Sequence, residues 1–130
     1  MAMTPEGRVK HKLDKVLKAE GVWFYSPQAG PFGVAGIPDR VACVYGHFVG
    51  IECKANKIKK PTALQLKCMR DIEKAGGKCF VAYDDETIET VREYIRARNP
   101  QSKSACAEAK EHSPSAGGST VGQGAGGARE

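Results

Sequence analysis

The sequence lacks the usual features of a membrane or secreted protein. No apolar run approaches the ~20 residues that a membrane-spanning helix needs, and the opening stretch MAMTPEGRVKHK contains no apolar signal-peptide segment. No two cysteines have the C-x-x-C spacing of zinc and redox motifs. We therefore expect a cytoplasmic protein with no membrane partner.

The cysteines are odd in number and irregular in spacing. They are Cys43, Cys53, Cys68, Cys79 and Cys106. The first four lie within apolar patterns, where a free thiol behaves as a small hydrophobic group. We predict that these four are reduced core residues, and neither zinc ligands nor disulfide partners.

Acidic residues are scarce relative to basic ones in the first half of the chain. Residues 1–60 hold ten Lys or Arg against five Asp or Glu, and the whole chain has a formal net charge of +5. A basic surface of this kind attracts a polyanion such as nucleic acid. A basic surface that only keeps the protein soluble explains the charge equally well.

The spacing of apolar residues predicts an α/β domain with the element order α-β-β-β-α-β-α. The first helix covers residues 5–20, because Thr4-Pro5 is a typical helix start and Gly21 a typical stop. The remaining predictions are strands at 22–25, 40–45, 48–55 and 79–83, and helices from Thr62 to Gly76 and from Asp84 or Asp85 to Asn99. Their core faces are predicted to hold Leu64, Cys68, Ile72 and Ala75 in the second helix, and Ile88, Val91 and Ile95 in the third.

Helices alternate with strands late in the chain, which favours a mixed sheet flanked by helices. Residues 100–130 have a different composition, dominated by Gly, Ala and Ser without periodicity. A segment of that composition cannot bury a core. We predict one domain over residues 1–99 and a disordered tail over residues 100–130.

Two of the predicted strands form a hairpin. Only Gly46-His47 separates residues 40–45 from residues 48–55, and a two-residue Gly-X link favours a type II′ turn. In that register Asp39 lies opposite Lys54. Glu52 then lies diagonally from Asp39 on the same face, with Cβ atoms ~7–8 Å apart. Two carboxylates at that separation can reach one cation.

The faces of this hairpin are predicted to be largely apolar, as in a strand pair buried within a sheet. Val41, Cys43 and Phe48 share the face of the charged groups, and Ala42, Val44, Val49, Ile51 and Cys53 lie on the other. Unpaired charges would be costly there, so the charged groups compensate one another or hold an ion. Oxygen ligands favour Mg²⁺ or Mn²⁺. The alternative is a plain Asp39–Lys54 ion pair beside a solvated Glu52.

The same residues carry a family resemblance. Gly36-Ile37-Pro38-Asp39, a short hairpin and Ile51-Glu52-Cys53-Lys54 resemble the PD-(D/E)xK nuclease signature. The spelling G-x-P-D, the E-x-K strand and Gln65 early in the next helix are similar to the virus-type replication-repair nuclease (VRR-NUC) family. The resemblance covers about residues 4–98 and implies a restriction-endonuclease-like fold.

The resemblance also implies a set of metal ligands. Asp39 and Glu52 would bind a catalytic Mg²⁺ or Mn²⁺, with the backbone carbonyl of Cys53 as a further ligand. Glu6, in the first turn of helix one, would be the acidic residue that the family places beside the metal. An acid at a helix N-terminus is also favourable against the helix dipole, so Glu6 has an alternative, structural explanation.

The other roles concern water and DNA. Lys54 would orient the attacking water, and Gln65 would steady Lys54 or the DNA, unless Gln65 is an ordinary surface residue. The family usually has an apolar residue after Pro-Asp, where this chain has Arg40. The basic run Lys57, Lys59 and Lys60 could contact phosphates or be a solvated charge run.

The resemblance implies a metal-dependent DNA endonuclease of replication or repair in a bacterial or phage-infected cell. Its substrate would be a structured DNA such as a junction or flap, and the protein would be a homodimer. Two alternatives are a nuclease fold that binds DNA without turnover, and an unrelated α/β domain whose hairpin is only structural.

Overall fold

The computed structural model describes residues 3–28 and 33–102. Its elements are α1 (Pro5–Ala19), β1 (Trp23–Tyr25), β2 (Arg40–Val44), β3 (His47–Cys53), α2 (Ala63–Lys74), β4 (Lys78–Ala82) and α3 (Asp85–Arg98). The predicted order of helices and strands is confirmed. The chain divides into residues 1–98 and 99–130, and the predicted tail lies outside the described residues beyond residue 102.

The four strands form one mixed sheet in the order β1-β2-β3-β4. β1, β2 and β3 are antiparallel neighbours, whereas β4 runs parallel to β3. The chain returns from β3 to β4 through α2, as a parallel pair requires. The α/β class and the mixed sheet are therefore as predicted.

The hydrophobic core lies on one face of the sheet, beneath α1 and α3. Alternate residues of β2 and β3 point into it, and Leu13, Leu17 and Ile95 are almost wholly buried against them. The predicted inward residues of α3, Ile88, Val91 and Ile95, are all buried. Among the described residues, no helix is long and apolar enough to cross a membrane.

Helix α2 packs on the opposite face of the sheet, and its predicted core face is wrong in part. Met69 is its buried residue, Cys68 and Ile72 are half-buried, and Leu64 and Ala75 are exposed. The inward stripe is rotated by about one position because Gln65, rather than Leu64, faces the sheet. A polar side chain at this inward position is the first sign that α2 serves the site.

Side chains cap all three helices. Thr4 Oγ1 accepts a hydrogen bond from the Gly7 amide at the start of α1, and Asp84 Oδ1 accepts one from Thr87 at the start of α3. In α2, Thr62 and Gln65 form a reciprocal capping box. These contacts set where each helix begins, and hence where Glu6 and Gln65 stand.

The hairpin turn is Tyr45-Gly46 and not the predicted Gly46-His47. Val44 pairs with His47 and Arg40 pairs with Ile51, and both turn residues have positive φ, 48° and 90°. This is the pattern of a type I′ turn, which matches the twist of the strands. The predicted register is therefore wrong by two residues.

The predicted burial of this hairpin, and of Cys43 within it, is also wrong near the turn. Phe48 is 49% exposed and Cys43 is exposed, whereas Cys53 is buried and Cys68 and Cys79 are half-buried. These four thiols are free, as predicted, and burial raises the pKa of Cys53 to about 12. Cys43 lies outside the core because it is on the α2 face of the sheet, and α2 leaves that face exposed near the turn. Cys106 lies outside the described residues.

Candidate functional site

The site is built where β3 ends. A shift of two residues keeps every side chain on its face, so Asp39, Glu52 and Lys54 still share one side. Continuing the observed register from Arg40–Ile51 puts Asp39 opposite Glu52, rather than opposite Lys54 as predicted. The two carboxylates are therefore direct neighbours instead of diagonal ones.

Gln65 connects Glu52 of β3 with Lys54, which directly follows β3. Its Nε2 donates a 2.7 Å hydrogen bond to Glu52 Oε2, and its Oε1 accepts a 3.0 Å bond from Lys54 Nζ. The same Oε1 accepts from the Thr62 amide of the capping box. Gln65 thus caps the start of α2 and also orients the charged groups of the site. Lys54 Nζ also lies 3.3 Å from Glu52 Oε2.

Asp39 is held by the backbone of the neighbouring strand. It lies just before β2, and its Oδ2 accepts a 2.8 Å hydrogen bond from the Cys53 amide. Lys54 is held similarly, because its amide donates to the Ala82 carbonyl and extends the pairing of β3 with β4. Both residues therefore stand on rigid strand ends.

Glu52 is 2% exposed, which is rare for a carboxylate. Burial and the neighbouring charge of Asp39 raise its pKa to about 7, against the opposing effect of Lys54. Its second oxygen, Oε1, is buried and finds no hydrogen-bond partner among the described residues. A buried oxygen left unpaired beside a second carboxylate fits a hard divalent cation.

Lys10 is a site residue that the sequence analysis missed. Its Nζ lies 3.5 Å from Asp39 Oδ1 and 3.3 Å from Glu6 Oε2. Burial lowers the pKa of Lys10, but the carboxylates of Asp39 and Glu6 outweigh it and raise the pKa overall. Glu6 therefore reaches the site through Lys10; its side chain is 41% exposed.

Asp14 and Arg40 form a second contact between α1 and the start of β2. Arg40 donates to both carboxylate oxygens of Asp14, at 2.7 and 3.0 Å, so the residue that departs from the family pattern anchors the strand to the helix. Glu6, Lys10 and Asp14 recur every four residues along α1. That i, i+4 spacing of charges was the available signal for both missed residues.

A basic cavity of about 500 Å³ opens on the side of the site where Lys10 and Lys54 lie, and neither Asp39 nor Glu52 lines it. It is lined by the first turn of α1 together with Lys10, Lys54, Lys59 and Lys60. Asn56 shapes this wall, because its Oδ1 accepts from the amides of Ile58 and Lys59. Lys57 does not line the cavity, whereas Lys59 and Lys60, the other two lysines of the predicted basic run, do.

The described residues contain no cluster of three or more His, Cys, Asp or Glu side chains arranged to hold a metal ion. The site brings together two carboxylates, Asp39 and Glu52, while Glu6 is turned to Lys10. A metal here would need further ligands, for which the carbonyl of Cys53 remains the predicted source. A buried carboxylate, Glu52, beside a half-buried one, Asp39, is nevertheless the chemistry that a metal would use.

Comparison with known proteins finds no family model and no curated protein that matches the chain. Membership of the VRR-NUC family therefore stays a prediction that rests on the motif.

Proposed function

We propose that this protein is a metal-dependent DNA nuclease with a restriction-endonuclease-like core of the VRR-NUC type. The observation that carries the proposal is the buried Glu52 carboxylate, which lies beside Asp39 and is tied to Lys54. One of its oxygens has no hydrogen-bond partner within residues 3–28 and 33–102. A structural ion pair would explain Lys54 and Glu52 Oε2, whereas the close approach of Glu52 to Asp39 requires either a shared proton or a cation between the two carboxyl groups.

Asp39 Oδ1 and Glu52 Oε1 are the oxygens that would hold Mg²⁺ or Mn²⁺, with the carbonyl of Cys53 and, as a further ligand, Glu6. When bound, the metal supplies a Lewis acid that stabilises charge on the reacting phosphate and favours ionisation of water. The carboxylates of Asp39 and Glu52 are pre-positioned for this by the Cys53 amide and Gln65.

Lys54 would donate a hydrogen bond to the attacking water and align it with phosphorus. The water would form a new P–O bond and release a proton to solvent as the P–O bond to one flanking sugar breaks, and the leaving sugar oxygen would take up a proton from solvent. Gln65 keeps the Lys54 ammonium in place, so we infer a positioning role for Gln65. Lys59 and Lys60 would bind neighbouring phosphates, which orients the backbone without reading its sequence.

The test is cleavage of single strands, duplexes, flaps and four-way junctions with Mg²⁺ or Mn²⁺ and with a chelator. We expect Asp39→Asn and Lys54→Ala to lose roughly 10²-fold or more of the activity, since each removes a group that acts in the transition state. Lys67→Ala is the matched control, because Lys67 is exposed and pairs with Asp71 on the same helix, outside the site.

Full metal-dependent activity in purified, folded Lys54→Ala would sink the assignment. Preference for a flap or junction over a plain duplex would support the proposed role in replication or repair. Equal cleavage of all substrates would remove that part of the proposal and leave the nuclease activity standing.

We also propose a homodimer, because one site cuts one strand and two copies are needed to cut both. The face of the sheet that α2 leaves open supports this. Trp23, Tyr25 and Phe48 lie there, 66%, 49% and 49% exposed, around an apolar cavity of about 540 Å³. An apolar patch of that kind is typical of an interface.

A DNA-binding module without turnover is the second candidate. Its supporting observation is that Lys10 and Lys54 already neutralise much of the carboxylate charge, with no three-ligand cluster in the described part of the chain. Calorimetry with Mn²⁺ separates the two functions. Absence of binding would favour the module, whereas stoichiometric binding would favour the nuclease.

A further inference from the structure

Lys10 lies against the carboxylate oxygen that the proposed metal would need. Asp39 Oδ2 is already used by the Cys53 amide, so Oδ1 is the oxygen available for a ligand. Lys10 Nζ lies 3.5 Å from that atom and 3.3 Å from Glu6 Oε2. A metal on Asp39 Oδ1 would sit ~2.1 Å from it, and the two cations would repel each other.

We propose that the Lys10 ammonium is a placeholder for the divalent cation, and that Lys10 turns to bind a DNA phosphate once the cation is bound. This inference rests on the proposed nuclease function. In the metal-free protein Lys10 keeps Asp39 and Glu6 from facing each other uncompensated. It thereby preserves the fold of the site until metal and DNA arrive.

The structure offers Lys10 a destination. Lys10 lines the same basic cavity as Lys54, Lys59 and Lys60, and its side chain is 32% exposed, so its head can leave the carboxylates by rotating within its flexible stem. A phosphodiester in that cavity would meet four ammonium groups. Metal binding and DNA binding are then coupled through the release of one lysine.

The experiment measures Mn²⁺ affinity by calorimetry and DNA affinity in Ca²⁺, using the full chain. We expect Lys10→Met to bind Mn²⁺ roughly 3- to 10-fold more tightly, because the competing ion pairs are gone. The same variant should bind DNA roughly 3- to 10-fold more weakly, because it has lost a phosphate contact. Its metal-free form should also melt at a lower temperature and gain more from Mn²⁺.

Two variants serve as controls. Lys12→Met removes the same charge from the same helix, but Lys12 pairs with Asp85 outside the site, so its Mn²⁺ affinity should match the wild type. Lys10→Arg keeps the cation and should bind Mn²⁺ no more tightly than the wild type. Circular dichroism establishes that each variant is folded.

The outcomes separate this inference from the proposed function. Wild-type protein that binds Mn²⁺, with equal or weaker binding by folded Lys10→Met, overturns the placeholder role and leaves the metal site intact. Wild-type protein that binds no Mn²⁺ overturns both. Tighter Mn²⁺ binding with unchanged DNA affinity overturns the transfer of Lys10 to a phosphate.

Discussion

At the scale of single residues, Glu52 has the least ordinary environment in the described part of the chain. It is the charged residue there with almost no exposure, and its hydrogen bonds use only one of two oxygens. Stability is given up at such a position, since buried charge is costly even when it is paired. That cost is expected of a site that serves binding or catalysis.

The raised pKa of Glu52 makes a prediction for the metal-free protein. The pKa rises from about 4.5 to about 7 on folding, so the folded state binds more protons than the unfolded state between those values. The contribution of Glu52 to the free energy of unfolding is therefore fully present below pH 4.5. It falls as the pH rises from 4.5 through 7 and is lost above that. Glu52→Gln, which cannot ionise, should be more stable than the wild type by about 2–3 kcal/mol at pH 8 in a chelator.

Urea denaturation at pH 4.5, 6 and 8 checks this, with Glu93→Gln on the exposed side of α3 as the control. Equal stability of the wild type and Glu52→Gln at pH 8 would contradict it. The wild type should regain stability at pH 8 when Mn²⁺ is added, and Glu52→Gln should regain much less.

The residues of this site differed in how far the sequence could predict them. Asp39, Glu52 and Lys54 follow from strand alternation, because a period of two places them on one side whichever turn is used. Lys10 and Asp14 do not follow, because tertiary packing brings them to their partners Asp39 and Arg40, at and just before the start of β2. Only the spacing of charges along α1 indicated that this face of the helix was special.

At the scale of elements, the hairpin register shows where local rules are insufficient. Turns at Tyr45-Gly46 and Gly46-His47 both contain the glycine, and both keep the apolar residues on the same faces. The choice depends on Gly50, whose missing Cβ leaves room for Pro38; an added Cβ would lie 2.8 Å from Pro38 Cγ. The predicted register would put Glu52 beneath that ring instead.

Gly36, the glycine of the G-x-P-D motif, lies against the backbone of the first turn of α2. Its φ is +80°, and a Cβ there would lie 2.4 Å from the Leu64 carbonyl oxygen. Gly36→Ala must therefore displace the first turn of α2, and with it Gln65. We expect a loss of more than about 2 kcal/mol in the free energy of unfolding, together with reduced cleavage.

Gly21→Ala is the matched control for backbone strain. Gly21 also has a positive φ, +74°, but nothing lies within 4 Å of an added Cβ. Its substitution should cost about 1 kcal/mol in urea denaturation and leave cleavage intact. Equal losses for the two variants would contradict a special role for the Gly36–Leu64 approach.

At the scale of the whole molecule, the two faces of the sheet are covered unequally. Two helices bury one face, whereas α2 covers the other and leaves the row Trp23–Cys43–Phe48 and the edge residue Tyr25 exposed. The sequence analysis treated both faces as buried. The apolar patch that the unequal helix coverage leaves exposed is the proposed dimer interface.

Phe48→Glu tests that interface. A charge there should convert a dimer into a monomer in sedimentation or light-scattering measurements, because an unpaired charge is costly in an apolar interface. The melting temperature of the monomer should change little, since Phe48 is half-exposed. Leu66→Glu, on an exposed side of α2 away from the cavity, should leave the dimer intact. A monomeric wild type would refute the homodimer proposal.

The sequence by itself determined the elements of this protein, their order and the shared face of Asp39, Glu52 and Lys54. These depend on local periodicity, capping and strand alternation, which short stretches of chain encode. Only the tertiary structure decided the turn, the inward stripe of α2 and the place of Lys10. Each of those depends on contacts between residues distant in sequence, such as Gly50 with Pro38 and Lys10 with Asp39, which no local pattern records.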